Sequence, residues 1–205
     1  MSREKYQNLI EQRIAGMKDG TVFIPSDFAD IANAAAVLMA LSRLESMHTI
    51  RRIMRGVYDK PRYSQLLNEF VSPHPAEVAK AIARKYHWTI TPTEDTALNL
   101  LHLSTQVPVV WKYVSDGPYK EYSYDRIRIS FRHSSNKETS GYSPMTALVI
   151  QALRAIGKEH VDEAVIRILR RQFTEEEKRK MLLEAKSTTA WIYSIMKEIS
   201  KENAE

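Results

Sequence analysis

Between residues 43 and 62 the chain places six basic side chains, Arg43, Arg51, Arg52, Arg55, Lys60 and Arg62, against two acids, Glu45 and Asp59. That excess is nearly all of the formal net charge of +5. A guanidinium donates in a planar fork that fits phosphate oxygens and the acceptor edge of guanine, so such a cluster suits nucleic acid. Three of the arginines fall in "RRIMRGVY" (51–58), two short β-prone runs around Gly56. Glycine there tolerates a positive φ at a hairpin tip or bulge. The segment reads as a basic hairpin whose Arg51, Arg52 and Arg55 reach phosphates or the minor groove, with Arg43 on the helix before it. Asn33 and Ser42 are the other side chains placed to meet a base edge. The helix itself, "NAAAVLMALSRL", is poor in base-reading residues, so phosphate contacts would carry much of the affinity. The alternative is a solvated basic hairpin on a protein-interaction module that does not bind DNA.

No other set of residues has the spacing of a catalytic or metal site. The six histidines form no HExxH or similar ligand pattern, and no phosphate loop, GxGxxG or GxSxG occurs. The acids Glu94, Asp95, Asp116, Glu121 and Asp125 fall at expected helix starts and turns, where capping and solvation account for them. We therefore expect no enzyme, no metal and no cofactor. One polar group stands out. Ser104, Thr105 and Gln106 precede one expected strand, and Arg132, His133 and Ser134 end another. If both loops lie at the same end of one sheet, they form a partner site. The alternative is a hydrogen-bonding network that ties the loops down.

The elements that position these residues follow from apolar spacing. Leu9, Ile10, Ile14 and Met17 predict a helix over 3–17, and Val22-Phe23-Ile24 a very short strand. Pro25 ends that strand, and Ser26 or Asp27 caps a short helix to about Ala32. Asn33 breaks the pattern, a second helix fits 34–46 with Val37, Leu41 and Leu44 on one stripe, and the basic hairpin follows. Helix, strand, helix, helix, hairpin is the order of a winged helix-turn-helix. Asp59–Ser64 reads as a linker, with Pro61 closing a first domain at 1–61 and a second running over 62–205.

In the second domain a helix spans about 75–86, "WTITP" (88–92) is a strand, and Thr93 caps a helix to about Leu101. Strands 107–115 and 119–124 are joined at the turn signal Asp116-Gly117, and 126–133 alternates arginine and serine with Ile127, Ile129 and Phe131. Residues 134–143 form a loop. Helices follow from Pro144 behind Ser143, over 161–172, from a capping box at Thr174–Glu177, and over 188–202. The fold class is thus α+β: a winged helix-turn-helix, then a small mixed or antiparallel sheet with a helical C-terminus.

At 205 residues, 43% hydrophobic and 27% charged, the chain has the composition of a soluble globule. No run approaches the ~20 apolar residues of a membrane span, and Met1-Ser2-Arg3-Glu4-Lys5 does not open a signal peptide, so a cytoplasmic location is expected. The absence of cysteine excludes disulfides, thiolate metal sites and cysteine nucleophiles.

"ALSRLESMHTIRRIMRGVYDKP" (40–61), "PTEDTALNLLHLSTQVPVVWKYVSDG" (92–117) and "IRISFRHSS" (127–135) resemble the AbiE-type (abortive infection, type IV toxin–antitoxin) antitoxin family of bacteria. "ALNLL…LSTQVP" and "ISFRHS" are the specific strings. The resemblance implies an N-terminal DNA-binding domain and a C-terminal antitoxin domain. It implies autorepression at inverted repeats in the protein's own promoter. It also implies a toxin resembling a nucleotidyltransferase, countered without a required stable complex. A stand-alone transcriptional regulator without a toxin is the other reading. Two positions depart from the family pattern: Ser46-Met47-His48 where a glycine often follows the recognition helix, and His102 where a small residue often stands.

Overall fold

The computed structural model describes residues 3–134 and 141–201. The chain is α+β and divides into two compact units, Met1–Trp88 with Ser123–Arg126, and Thr89–Tyr122 with Ile127–Glu205.

In the first unit, α1 (Arg3–Ala15) turns Ile10 and Ile14, one helical turn apart, into the core. The strand β1 (Val22–Phe23) leads into a four-residue 3₁₀ turn, Pro25–Phe28. Its cap position is Ile24, not Ser26 or Asp27. Asp27 acts from inside the turn, its carboxylate accepting the Ile24 N–H at 3.0 Å. Helix α2 (Ala34–Ser46) starts where Asn33 Oδ1 accepts the Ala36 N–H at 3.0 Å, and it buries Val37, Ala40, Leu41 and Leu44. The chain leaves α2 through His48, whose φ is +55°. There Thr49 N–H donates back to the Leu44 carbonyl at 3.0 Å, so histidine takes the left-handed position that usually suits glycine.

Strands β2 (Arg51–Met54) and β3 (Val57–Asp59) form the basic hairpin, and β3 also pairs with β1, giving an antiparallel sheet in the order β1-β3-β2. Phe23 meets Phe28 edge-on and stacks on Tyr58, closing a core with Ile10, Ile14, Leu41 and Leu44. Each of these fully buried side chains contributes about 1.5–3 kcal/mol from its removal from water.

The stretch expected as a linker is folded. Strands β4 (Arg62–Ser64) and β5 (Glu69–Val71) make a second hairpin, and α3 (Pro75–Tyr86) follows. Helix α3 belongs to the first unit: Arg84 donates to the Val22 carbonyl at 3.3 Å and pairs with Asp27 at 3.1 Å. The expected boundary at Pro61 therefore lies inside a unit. Proline ends the β3 run, as its missing N–H requires, but ending a strand does not end a domain.

The second unit is built on a sheet of four strands: β6 (Ile90–Pro92), β7 (Val110–Ser115), β8 (Lys120–Tyr124, whose last residues fall in the first unit) and β9 (Ile127–His133). Their order is β6-β7-β9-β8. The expected β7–β8 hairpin at Asp116-Gly117 does not form. β9 lies between the two strands and runs parallel to β7, with Val110 beside Arg128 and Ser115 beside His133. The turn signal serves the loop instead: Asp116 accepts the Thr89 N–H at 2.8 Å and Ser115 Oγ accepts the Gly117 N–H at 2.9 Å. Trp111, Tyr113, Val114 and Ser115 are buried, as a central strand with β6 and β9 on its two edges requires.

Helices α4 (Glu94–Leu100), α5 (Pro144–Ile156), α6 (Glu163–Gln172), α7 (Glu175–Glu184) and α8 (Ala190–Ile199) pack around Leu101, Val149, Ile150, Leu153, Leu169 and Ile192. Thr174 and Glu177 form the expected capping box. Thr93 and Ser143 stand at cap positions, but their hydroxyls serve other partners: Thr93 donates to the Lys112 carbonyl and Ser143 to Glu184 at 2.8 Å. The 134–143 loop falls outside the described residues over 135–140, as does position 202 of the last expected helix.

Candidate nucleic-acid interface

Charge counting treats every arginine alike, but the fold does not. Asp59 is the last residue of β3 and has no exposed surface. A buried carboxylate is costly unless it is paired and hydrogen-bonded. Arg51 stands opposite it across the β2–β3 ladder and forks onto it, Nε to Oδ1 at 3.0 Å and Nη2 to Oδ2 at 2.6 Å. A third donation, from Nη2 to the Val71 carbonyl at 3.0 Å, ties the base of the second hairpin. The carboxylate holds the Arg51 guanidinium pKa above its ordinary value, chiefly through these hydrogen bonds. The Arg51 fork is therefore spent inside the unit, which removes this residue from the expected set of phosphate contacts. Lys60 is likewise internal: it pairs with Asp19 at 3.1 Å, and its Nζ donates to the carbonyls of Ala15 and Met17 at 3.0 and 2.8 Å, closing the end of α1.

Arg52 and Arg55 are different. Both side chains are exposed, and among the described residues neither makes a hydrogen bond or ion pair. Arg52 lies opposite Tyr58, and a register shift between Arg52 and Met54 bends the strand. Arg55 and Gly56 form the tip, where Gly56 takes φ of +73°. Lys85 of α3 donates to the Arg55 carbonyl at 2.6 Å, and a Cβ on Gly56 would stand 3.3 Å from Lys85 Nζ. The positive φ calls for glycine, and a side chain there would also crowd the lysine that clamps the tip. Sequence reasoning missed Lys85, which comes from a separate helix, and the role of Asp59, which depends on the cross-strand register that sets it opposite Arg51.

Arg43 is exposed in the last turn of α2 and donates to Gln7 of α1. Ser42 is exposed beside it, and its carbonyl accepts the Ser46 hydroxyl at 2.9 Å. Asn33 is exposed, but its side-chain oxygen is committed to the α2 cap, leaving the amide NH₂ as its outward donor. The outward α2 face also carries Leu38 and Met39, with Met47 at its C-terminal cap, all exposed.

The second expected group is not brought together. Because β7 and β9 are parallel, the loop Ser104-Thr105-Gln106 leads into the start of β7, level with Arg128, whereas Arg132, His133 and Ser134 lie at the far end of β9. Five residues of strand separate those levels, about 17 Å. Each loop has its own local ties. Gln106 N–H donates to Ser104 Oγ at 3.2 Å, and Asn99 donates to the Gln106 carbonyl at 2.9 Å. His133 Nδ1 donates to the Gly117 carbonyl at 2.9 Å, and Ser134 N–H to the Ser115 carbonyl at 2.9 Å. The condition for a joint site, both loops at one end of the sheet, is not met. Among the described residues no group of three His, Asp or Glu side chains is arranged to hold a metal ion. Nor is any helix among them long and apolar enough to cross a membrane.

No curated protein matches the chain. A family of unknown function, DUF6088, matches residues 9–181. That span takes in α1 from Leu9, both hairpins, the four-stranded sheet and the helices up to Met181. The chain belongs to the DUF6088 family.

Proposed function

We propose that the first unit is a winged helix-turn-helix that binds double-stranded DNA, and that the chain is a transcriptional autorepressor. The observation that carries this reading is the sheet order β1-β3-β2 beneath α1 and α2, with the free arginines Arg52 and Arg55 on the outer hairpin. In such a module α2 enters the major groove and the β2–β3 wing grips the backbone or minor groove. Arg43, Arg52 and Arg55 supply the phosphate contacts, while Asn33, through its amide, and Ser42 face base edges. The likeness of residues 40–61, 92–117 and 127–135 to AbiE-type antitoxins supports the further proposal that the chain counters a nucleotidyltransferase-like toxin, as the antitoxin of a type IV abortive-infection system in the bacterial cytoplasm.

The test is gel-shift binding to the DNA upstream of the gene, across a salt series. Arg52→Ala with Arg55→Ala flattens the slope of log K against log salt by about 0.9 per lost phosphate contact, or about 1.8 together. Binding and slope unchanged in that variant would refute the wing assignment. A nucleotidyltransferase-like reading frame next to the gene, toxic alone and harmless with this chain co-expressed, tests the antitoxin half. One observation favours a second reading, a protein-interaction module: the exposed Leu38, Met39 and Met47 on α2 suit an apolar partner better than a base edge. Absence of DNA binding at low salt would select it.

A further inference from the structure

The hairpin β4–β5 is a two-stranded sheet that its own chain leaves uncovered. Leu66 at its tip is 93% exposed, Phe70 is 62% exposed, and Tyr63 and Leu67 are exposed with them. Tyr63 and Phe70 are cross-strand partners and pack edge to face on one side, their ring centroids 5.3 Å apart. Arg62 and Glu69 lie on the other side, opposite Val71 and Ser64 respectively. Both side chains are exposed, and among the described residues neither side chain makes a hydrogen bond or ion pair. An isolated two-stranded hairpin is marginal in water, and a contiguous apolar patch with an unpaired strand edge marks an association surface.

The charges indicate what covers it. One arginine and one glutamate cancel, so this hairpin, unlike β2–β3, offers no net attraction to phosphate. They are instead self-complementary under a two-fold axis. We propose that two copies of this chain associate through this hairpin, β4 of one running antiparallel to β4 of the other. With Tyr63 against Tyr63 at the axis, Arg62 of each copy lies opposite Ser64 of the other, with Glu69 on the next strand behind it. The small Ser64 lets the long guanidinium reach that carboxylate. On the opposite side the rings align in the row Phe70, Tyr63, Tyr63, Phe70. The β5 edge is the less available one, because the Val71 carbonyl already accepts from Arg51 at 3.0 Å. This association does not depend on DNA binding, and the test contains no DNA.

Sedimentation equilibrium of the full chain, from micromolar to submillimolar concentration, reads the association directly. The wild-type chain is expected to form a dimer. Tyr63→Asp is expected to abolish it while far-UV circular dichroism stays that of the folded chain; the urea midpoint falls slightly, because the ring also packs on Phe70. Arg62→Glu and Glu69→Arg are each expected to weaken self-association at least ~tenfold by opposing like charges. The decisive arm mixes these two single variants in equal amounts. Across the two-fold axis every like-charge contact then becomes an opposite pair, and association returns to the wild-type level. A chain monomeric at every concentration overturns the proposal, as does a dimer indifferent to Tyr63→Asp. Failure of the mixed variants to associate better than either alone refutes the β4–β4 register.

Discussion

Replacing Arg51 by alanine removes the guanidinium that forks onto a carboxylate with no exposed surface. Three hydrogen bonds go with it, two to Asp59 and one to the Val71 carbonyl. Breaking a buried pair by deleting one partner costs about 3–5 kcal/mol, because the remaining charge stays desolvated. The Arg51 side chain keeps 33% of its surface, so water relieves part of that penalty, and we expect the lower end, about 3 kcal/mol. That is roughly two orders of magnitude in the unfolding equilibrium and a fall of roughly 1–3 M in urea midpoint. The assay is urea unfolding followed by far-UV circular dichroism, with hydrogen exchange at the amides of Val57 and Tyr58 to localise the loss. Arg51→Met combined with Asp59→Asn removes both charges and is expected to recover part of the stability. Arg52→Ala, four residues from the Gly56 tip, stays within about 0.5 kcal/mol of wild type. The reasoning fails if Arg51→Ala is also within that margin, with an intact fold and weakened DNA binding. Arg51 would then be a surface contact and its fork onto Asp59 of no consequence.

Three further outcomes follow from particular residues. His48→Gly relieves a left-handed backbone at φ of +55° and is expected to raise stability by about 1 kcal/mol in urea unfolding; no gain would mean that the imidazole compensates at the α2 terminus. Gly56→Ala, at φ of +73° with its new methyl 3.3 Å from Lys85 Nζ, is expected to lose about 1 kcal/mol or more and to expose the tip amides to faster exchange. His74 caps α3 by accepting the Ala76 N–H at Nδ1, and burial lowers its pKa below 6.5, so the unfolded chain binds the extra proton first. Its contribution to stability is complete above pH 6.5 and is lost as the pH falls below that value; His74→Asn, which keeps an acceptor at the cap, removes that portion of the pH dependence of the urea midpoint.

The amino-acid sequence by itself determined what local rules govern. Apolar spacing after the break at Asn33 placed α2 at 34–46, Pro75 and its stripe placed α3, and Thr174 with Glu177 placed the start of α7. These depend on groups within one or two helical turns, so the signal lies in adjacent residues. Glycine at position 56 marked the tip of the basic hairpin for the same reason. Tertiary structure alone decided which charges face outward. Arg51 and Arg52 are neighbours in sequence and on opposite faces of β2, so one is spent on Asp59 while the other is free. It also decided that β9 enters between β7 and β8, in a parallel pairing that no turn signal announces. That choice separates His133 from the Ser104–Gln106 loop by the length of a strand. Strand pairing and ion pairing are set by which surfaces can be buried together, and neighbouring residues do not announce that choice.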